Sequence, residues 1–325
     1  MGIFSVGASF SGVGMLVFTP QASQLVRTPL NRRAWIKRAA VLVGASVASG
    51  AVAANGPSLR KGYMMATFPD RKLPLVEQFQ MLKSAGFEGV EPPNAADADE
   101  VLSARDAAGV EVVSMSCGGS SRDFASPLAP QRTAAVAAVQ KALRDAKRYG
   151  AKSILVVPGR VDEHTTYQQN WDRCSECIRA CLPVAEETGV VMAIENVWNY
   201  FLQSPTEIVQ FIDQFSSPLV GSHFDIGNMM CLGWPEHWIP IVGKRISAIH
   251  LKEFSRAKMN KEGKKLGFEV DYLDGDNDWP AIMNALRGIG YSGWAIAEPA
   301  YRPKDVEPKA RLLEMSKRID QLLAS

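Results

Sequence analysis

Residues 190–196, Val-Val-Met-Ala-Ile-Glu-Asn, form an apolar run that ends abruptly in a carboxylate. A run this short, rich in β-branched residues and preceded by Thr188-Gly189, reads as a strand buried on both faces. Glu195 therefore emerges at the strand's C-terminal end. A carboxylate costs several kcal/mol to bury unpaired, so it must face a metal, a partner or a polar cavity. Three further runs repeat the arrangement: residues 222–225 end in Asp225, residues 246–250 in His250 and residues 294–298 in Glu298. Four strands thus deliver Glu, Asp, His and Glu in that order.

Between these runs the chain alternates strand-like and helix-like segments with little else. Strands are expected at residues 61–68, 87–91, 110–116, 153–157, 190–195, 219–225, 246–251 and 294–298. Amphipathic helices follow at 75–85, 97–108, 130–149, 167–187, 205–215, 235–242, 279–287 and 306–323, several closed by a glycine such as Gly150, and Ser204 is placed to cap the fifth. Eight βα units in 325 residues point to an α/β fold of the closed (β/α)8 TIM barrel type, a single domain over residues 55–325. No Gly-x-Gly-x-x-Gly follows the first strand, which argues against a dinucleotide site.

Composition narrows the function classes. A formal net charge of +2, with no long Lys/Arg stripe interleaved with aromatics, gives no basis for a nucleic-acid partner. The basic run 258–265 reads as a solvated loop. Five cysteines do not suggest a disulfide framework; Cys174, Cys177 and Cys181 fall at helical spacing and read as neutral thiols packed against the sheet.

Residues 1–30 are small and apolar without a helical or strand period, either an unusually long leader or a start placed too early. Asn31-Arg32-Arg33-Ala34-Trp35-Ile36-Lys37 then precedes an uncharged segment ending near Ala51-Val52-Ala53. The order of a basic region, a moderately apolar stretch and a small-residue cleavage site resembles a twin-arginine export signal. The stretch is shorter than the roughly 20 residues that span a bilayer, so no stable membrane insertion is expected once the signal is removed. Residues 1–54 are read as this leader, and the mature protein as periplasmic or otherwise extracytoplasmic.

In a (β/α)8 barrel the strands' C-terminal ends share one face, so Glu195, Asp225, His250 and Glu298 should converge there. Three carboxylates and an imidazole suit Mn²⁺, Mg²⁺ or Co²⁺ better than a thiol-rich structural zinc site would, with Zn²⁺ still open. His223, two residues before Asp225, points to the same side but deeper, behind the ligands. His164 and His237 read as loop and surface residues.

The set Ile194-Glu195-Asn196, His223-Phe224-Asp225-Ile226-Gly227-Asn228, Ile249-His250-Leu251-Lys252-Glu253, Gly275-Asp276-Asn277-Asp278-Trp279-Pro280 and Ala297-Glu298-Pro299 resembles the sugar phosphate isomerase/epimerase superfamily, the xylose-isomerase-like TIM barrels. The resemblance runs from about residue 61 to the C-terminus. It implies one divalent metal, Mn²⁺ first, held by Glu195, Asp225, His250 and Glu298, with Glu195 and Glu298 doubling as acid and base on a small-molecule carbohydrate. A metal on adjacent carbonyl and hydroxyl oxygens acidifies the C–H between them and stabilises an enediolate.

Arg256 matches a family arginine that contacts substrate oxygens. Lys252, Asn228, Trp198 and Glu91 are expected near the same cavity, with Trp198, Tyr200 and Phe201 offering flat faces to a sugar ring. Asn228 stands where epimerases of this group often carry a histidine, and Trp198, Asn199, Tyr200 and Phe201 occupy the region of their second glutamate. Both departures argue against simple free-ketose 3-epimerisation.

The leading expectation is a metal-dependent sugar isomerase or epimerase, with an oxidised glycoside among the candidate substrates. A lyase or dehydratase using the same metal comes second, and a non-catalytic carbohydrate-binding barrel third. A repair endonuclease on a related barrel needs more metal ligands than four histidines and this charge provide. Assembly into a homo-oligomer is left open.

Overall fold

A computed structural model of the chain describes residues 59–303 and 306–325. The leader assigned to residues 1–54 lies outside the described residues, as does the boundary at 55. Among the described residues there are nine parallel strands: β1 Arg60–Met64, β2 Gly89–Glu91, β3 Glu111–Val112, β4 Ser114–Ser116, β5 Ser153–Val156, β6 Val191–Glu195, β7 Val220–Asp225, β8 Ile246–Leu251 and β9 Trp294–Ala297. They are hydrogen-bonded in the order β3-β2-β1-β9-β8-β7-β6-β5-β4. β3 and β4 are the two halves of the run expected as one strand at 110–116. The chain changes partner at Val113, β3 pairing with β2 and β4 with β5, so the two ends of the order meet and the sheet rounds into a TIM barrel.

Helices occupy the expected intervals, and local signals set their ends. Thr166 with Gln169 and Ser204 with Glu207 form capping boxes that satisfy the first free N–H groups of the helices Tyr167–Thr188 and Pro205–Asp213. Gly150, at φ 83°, ends the helix Ala129–Tyr149 in the left-handed conformation that only glycine adopts freely. Two expectations need correction. The first strand stops at Met64 because Met65–Thr67 turn into a 3-10 helix. The basic run at 258–265 is not a plain loop: Ser255 caps the helix Arg256–Glu262, which takes in Lys258 and Lys261.

Two apolar layers result from the period of two. Phe79, Leu82, Ile178, Phe211, Ile249 and Ile319 are among the fully buried residues between the strands and the helices. Inside the barrel Val113, Ala248 and Ile296 pack on Met64 and Trp294 and close the lumen. The thiols of Cys174 and Cys181 join the outer layer as expected, and burial pushes the Cys181 thiol up to about 12. The inward positions that follow the plug are polar: His250 comes two residues after Ala248, and Glu298 two after Ile296.

One irregularity sets the register of these positions. Ser222 aligns with Ile246, but His223 aligns with Ala248, so β8 carries one extra residue, the exposed Ser247. Beyond the bulge Asp225 aligns with His250; without it Asp225 would face the Ile249 position, and His250 would lose its place opposite. Gly221 makes room for the bulge, since a Cβ there would collide with the Ser247 hydroxyl and come 2.9 Å from the Arg245 carbonyl oxygen. Gly221→Ala is expected to cost about 1–3 kcal/mol of stability by overpacking. Equilibrium denaturation that finds no change would show that β8 holds its register without this contact.

Candidate active site

The four C-terminal strand ends place their side chains together as the sequence implied. One ligand atom each from Glu195, Asp225, His250 and Glu298 lies within 4.8 Å of all the others. His250 Nδ1 is 3.7 Å from Glu195 Oε1, 3.8 Å from Asp225 Oδ2 and 2.8 Å from Glu298 Oε2. Glu195 and Glu298 line a cavity of about 610 Å³ whose other walls include Lys252, Asn228, Trp198 and Tyr200. Asp225 and His250 lie beneath it, fully buried.

Lys252, two residues beyond His250 on the same inward face, extends its ammonium to 2.7 Å from Asp225 Oδ2 and 2.8 Å from Glu298 Oε2. Both contacts are ion pairs, and neither counts among the hydrogen bonds of the described residues. Asp225 Oδ2, Glu298 Oε2 and His250 Nδ1 accordingly remain buried without hydrogen-bond partners among the described residues. Three such atoms converging from three strands fit a divalent cation, because a hard ion takes up lone pairs that hydrogen bonds leave unused. Gly227 leaves space for the lysine: a Cβ there would come within 2.7–2.8 Å of the Lys252 stem and carbonyl oxygen.

Charge balance holds the cluster. Burial alone would lower the Lys252 pKa, but Asp225, Glu298 and Glu195 outweigh it and raise it, so the ammonium stays charged. Burial pushes Glu195 up to about 7, reinforced by the neighbouring Glu298 and Asp225. Glu298 feels the same burial, yet Lys252 and His250 overcome it and hold its carboxyl well below the usual carboxylate range. The two glutamates at the cavity wall are thus electrostatically unequal.

Glu91 does not reach the cavity, contrary to the expectation of a substrate contact. It is fully buried one layer down, where its Oε1 lies 3.0 Å from His250 Nε2. With Nε2–H donating to Glu91, His250 presents Nδ1 to the four-ligand cluster, the arrangement in which a carboxylate fixes the tautomer of a metal-binding imidazole. His223 sits beside this pair, 4.1 Å from the His250 ring and 3.9 Å from Glu91 Oε2. Burial, with His250 adding to it, pushes its pKa down to about 3, so it packs as a neutral ring behind the ligands, as its position in the strand suggested.

Asn228 borders the cavity, but its Nδ2 donates to the Asn196 carbonyl and its backbone N–H to Asp225 Oδ1. Asn196 in turn exchanges two hydrogen bonds with the Asp225 backbone, at 2.9 and 3.0 Å. These two asparagines tie the ends of β6 and β7 and aim the Asp225 carboxylate. Asn196 was missed as a functional residue, although it directly follows Glu195 in the quoted motif.

Arg256 does not line the cavity. Its guanidinium donates to the Met230 and Gly233 carbonyls and lies 4.4 Å over the Trp234 ring. Trp198 and Tyr200 are exposed at the cavity wall, whereas Phe201 is core, packed on Tyr167 and Phe211. His164 and His237 are exposed, as expected.

Residues 79–321 match a protein family described as xylose isomerase-like TIM barrel. An inosose dehydratase of Salmonella agona (strain SL483) is 24% identical over 165 residues, covering 47% of this chain and 54% of that protein. The chain thus matches about half the length of that curated relative. Among solved structures, the 3-keto-D-glucoside 4-epimerase of E. coli is similar with a TM-score of 0.69 at 17% identity, over 82% of this chain and 100% of the other. D-psicose 3-epimerase of Clostridium cellulolyticum H10 is similar with a TM-score of 0.64 at 18% identity, over 81% and 98%. These likenesses show a shared fold.

If the cluster holds a divalent cation, Glu91→Gln is expected to weaken its binding by about 10–100-fold, the usual effect of losing a partner behind a metal-binding histidine. Calorimetric titration of the metal-free protein measures it, and an unchanged Kd would mean that Glu91 does not orient His250.

Proposed function

Because the chain belongs to the xylose isomerase-like TIM barrel family, we propose that it is a divalent-metal-dependent sugar isomerase or epimerase that moves a proton next to a carbonyl through an enediolate. The observation that carries this reading is the convergence of Glu195, Asp225, His250 and Glu298 at the base of an open cavity. The E. coli and Clostridium structures named above are both of epimerases, which supports it. Mn²⁺ is the first ion to test, with Mg²⁺, Co²⁺ and Zn²⁺ beside it. An ion held by the four side chains would polarise a hydroxy-carbonyl unit and stabilise negative charge on its oxygens.

The protein's own residues do the rest. Glu195 and Glu298 both border the cavity and come from different strands, so a sugar carbon between them can lose a proton to one and regain it from the other. Return to the opposite face of the same carbon is epimerisation, and return to the adjacent carbon is isomerisation. The Lys252 ammonium, beside Glu298 and on the cavity wall, can donate to a substrate oxygen without giving up its carboxylates. Asn196 and Asn228 keep Asp225 fixed while this happens.

A second reading shares the first step. If the carbanion-like intermediate expels a β-oxygen instead of recapturing the proton, the enzyme is a lyase; the resemblance to an inosose dehydratase favours keeping this outcome. Deuterium uptake by candidate keto-sugars in D₂O, followed by product mass, separates the readings. Uptake is expected with wild-type protein, a rate lower by about 10²–10⁴-fold in Glu195→Gln, and loss of bound metal in His250→Ala. Retained product mass identifies an isomerase and loss of water a lyase; a protein that binds no divalent ion would remove both.

We also propose export by the twin-arginine route, on the strength of Arg32-Arg33 and the segment that follows. Cell fractionation should find wild-type protein in the periplasm and the double variant Arg32→Lys, Arg33→Lys in the cytoplasm. Equal distributions would refute this route.

A further inference from the structure

The cavity is larger than one sugar needs. A hexose has twelve non-hydrogen atoms, and even at liquid water's share of about 30 Å³ per oxygen it fills no more than about 360 Å³. The cavity measures about 610 Å³. What borders the remaining space is unusual. Trp198 and Tyr200 are 42% and 56% exposed, yet both line the cavity. The Lys264 ammonium is 5.4 Å from one ring centroid and 5.9 Å from the other, so the two rings border one space. Phe268 stacks on Trp198 at 5.7 Å and holds its orientation.

The backbone works against its own preference to keep Tyr200 there. Tyr200 has φ 63° and Leu202 φ 53°, a left-handed conformation that a bulky side chain adopts only when its surroundings force it. Asn199 supplies the force: its side chain donates to the Gly159 carbonyl at 2.7 Å, its carbonyl accepts from Val161 N–H, and its Oδ1 accepts from Phe201 N–H. Buried Phe201 and Leu202 anchor the other side. The outcome of this strain is an aromatic ring held out in water beside the catalytic carboxylates.

The loop tied down by Asn199 also brings Arg160 to the cavity, and Arg122 borders it as well. Neither guanidinium takes part in any of the ion pairs or side-chain hydrogen bonds found among the described residues, so their donors are available to ligand oxygens. Exposed aromatic faces together with available arginine donors are what a polyhydroxylated ring needs: apolar C–H faces on one side, hydroxyl oxygens on the other.

From this arrangement we infer that the cavity holds two linked sugar rings, the reacting one over Glu195 and Glu298 and the second against Trp198 and Tyr200, with Arg160 and Arg122 on its hydroxyls. The substrate is a glycoside whose second ring is itself a sugar. This deepens the proposed function and rests on its placement of the reacting carbons.

Calorimetric titration of the Mn²⁺-loaded protein with glucose, maltose, cellobiose, trehalose, sucrose and p-nitrophenyl β-glucoside tests it without turnover. At least one disaccharide is expected to bind about tenfold more tightly than glucose, the upper end of what well-placed aromatic contacts contribute. The ratio of disaccharide to glucose affinity should collapse toward one in Tyr200→Gly, in Trp198→Ala and in Arg160→Ala. Tyr200→Gly also relieves the positive φ, so its melting temperature should equal or exceed the wild type's, which separates lost binding from lost folding. The subsite is overturned if no disaccharide outbinds glucose, if the aryl glucoside outbinds every disaccharide, or if the ratio survives all three substitutions. A disaccharide preference in a protein that exchanges no deuterium would leave the subsite standing and remove the isomerase.

Discussion

The rest of the site depends on compensating negative charge inside a closed barrel. Glu195, Asp225 and Glu298 gather around one nitrogen of His250 and Glu91 lies against the other, and Glu91, Glu195 and Asp225 are almost wholly removed from water. Carboxylates so placed repel one another and lack solvent, so the arrangement is stable only with cations among them. Lys252 supplies one charge between Asp225 and Glu298, and His250 bridges Glu91 below to the cluster above. The orphaned atoms on Asp225, Glu298 and His250 mark where a further cation would complete the balance.

That requirement propagates outward. Gly227 leaves room for the Lys252 stem, the Ser247 bulge brings His250 opposite Asp225, and Gly221 leaves room for the bulge. Asn196 and Asn228 tie the strand ends, and the Asn228 N–H donates to Asp225 Oδ1 and aims that carboxylate toward its partners. Above this rigid base the walls are built differently, with an exposed tyrosine on strained loop backbone, an exposed tryptophan near it and arginines outside the ion-pair network. The two regions match two tasks: a fixed electrostatic centre for proton movement and an outer wall for selecting what enters.

Much of the fold was legible in the chain because short buried strands and capped helices write their period directly into the sequence. The runs ending in Glu195, Asp225, His250 and Glu298 could be read as converging strands, since each broke an apolar pattern with a side chain that cannot be buried alone. The strand at 110–116 was only half legible. Its break at Val113 reflects a change of hydrogen-bonding partner at barrel closure, which leaves the apolar pattern intact. The helix Arg256–Glu262 was hidden by its basic composition, because its start depends on Ser255, and Asp276 accepts from the Arg256 N–H across a long loop.

The barrel, the order of its strands along the chain and the four side chains gathered at their ends could be read from the chain alone, because periodicity and unpairable charge are local properties. Which neighbours those side chains meet was settled by folding. Glu91 was expected at the substrate but lies beneath His250, whereas Asn228 does reach the cavity wall and also ties Asn196, because depth along a strand and the direction of an amide depend on register. Arg256 turned to backbone carbonyls and Trp234, while Arg122 and Arg160 came to the cavity from loops with no distinguishing pattern. Loop side chains are placed by contacts between residues far apart in the chain, and no spacing within the sequence encodes such contacts.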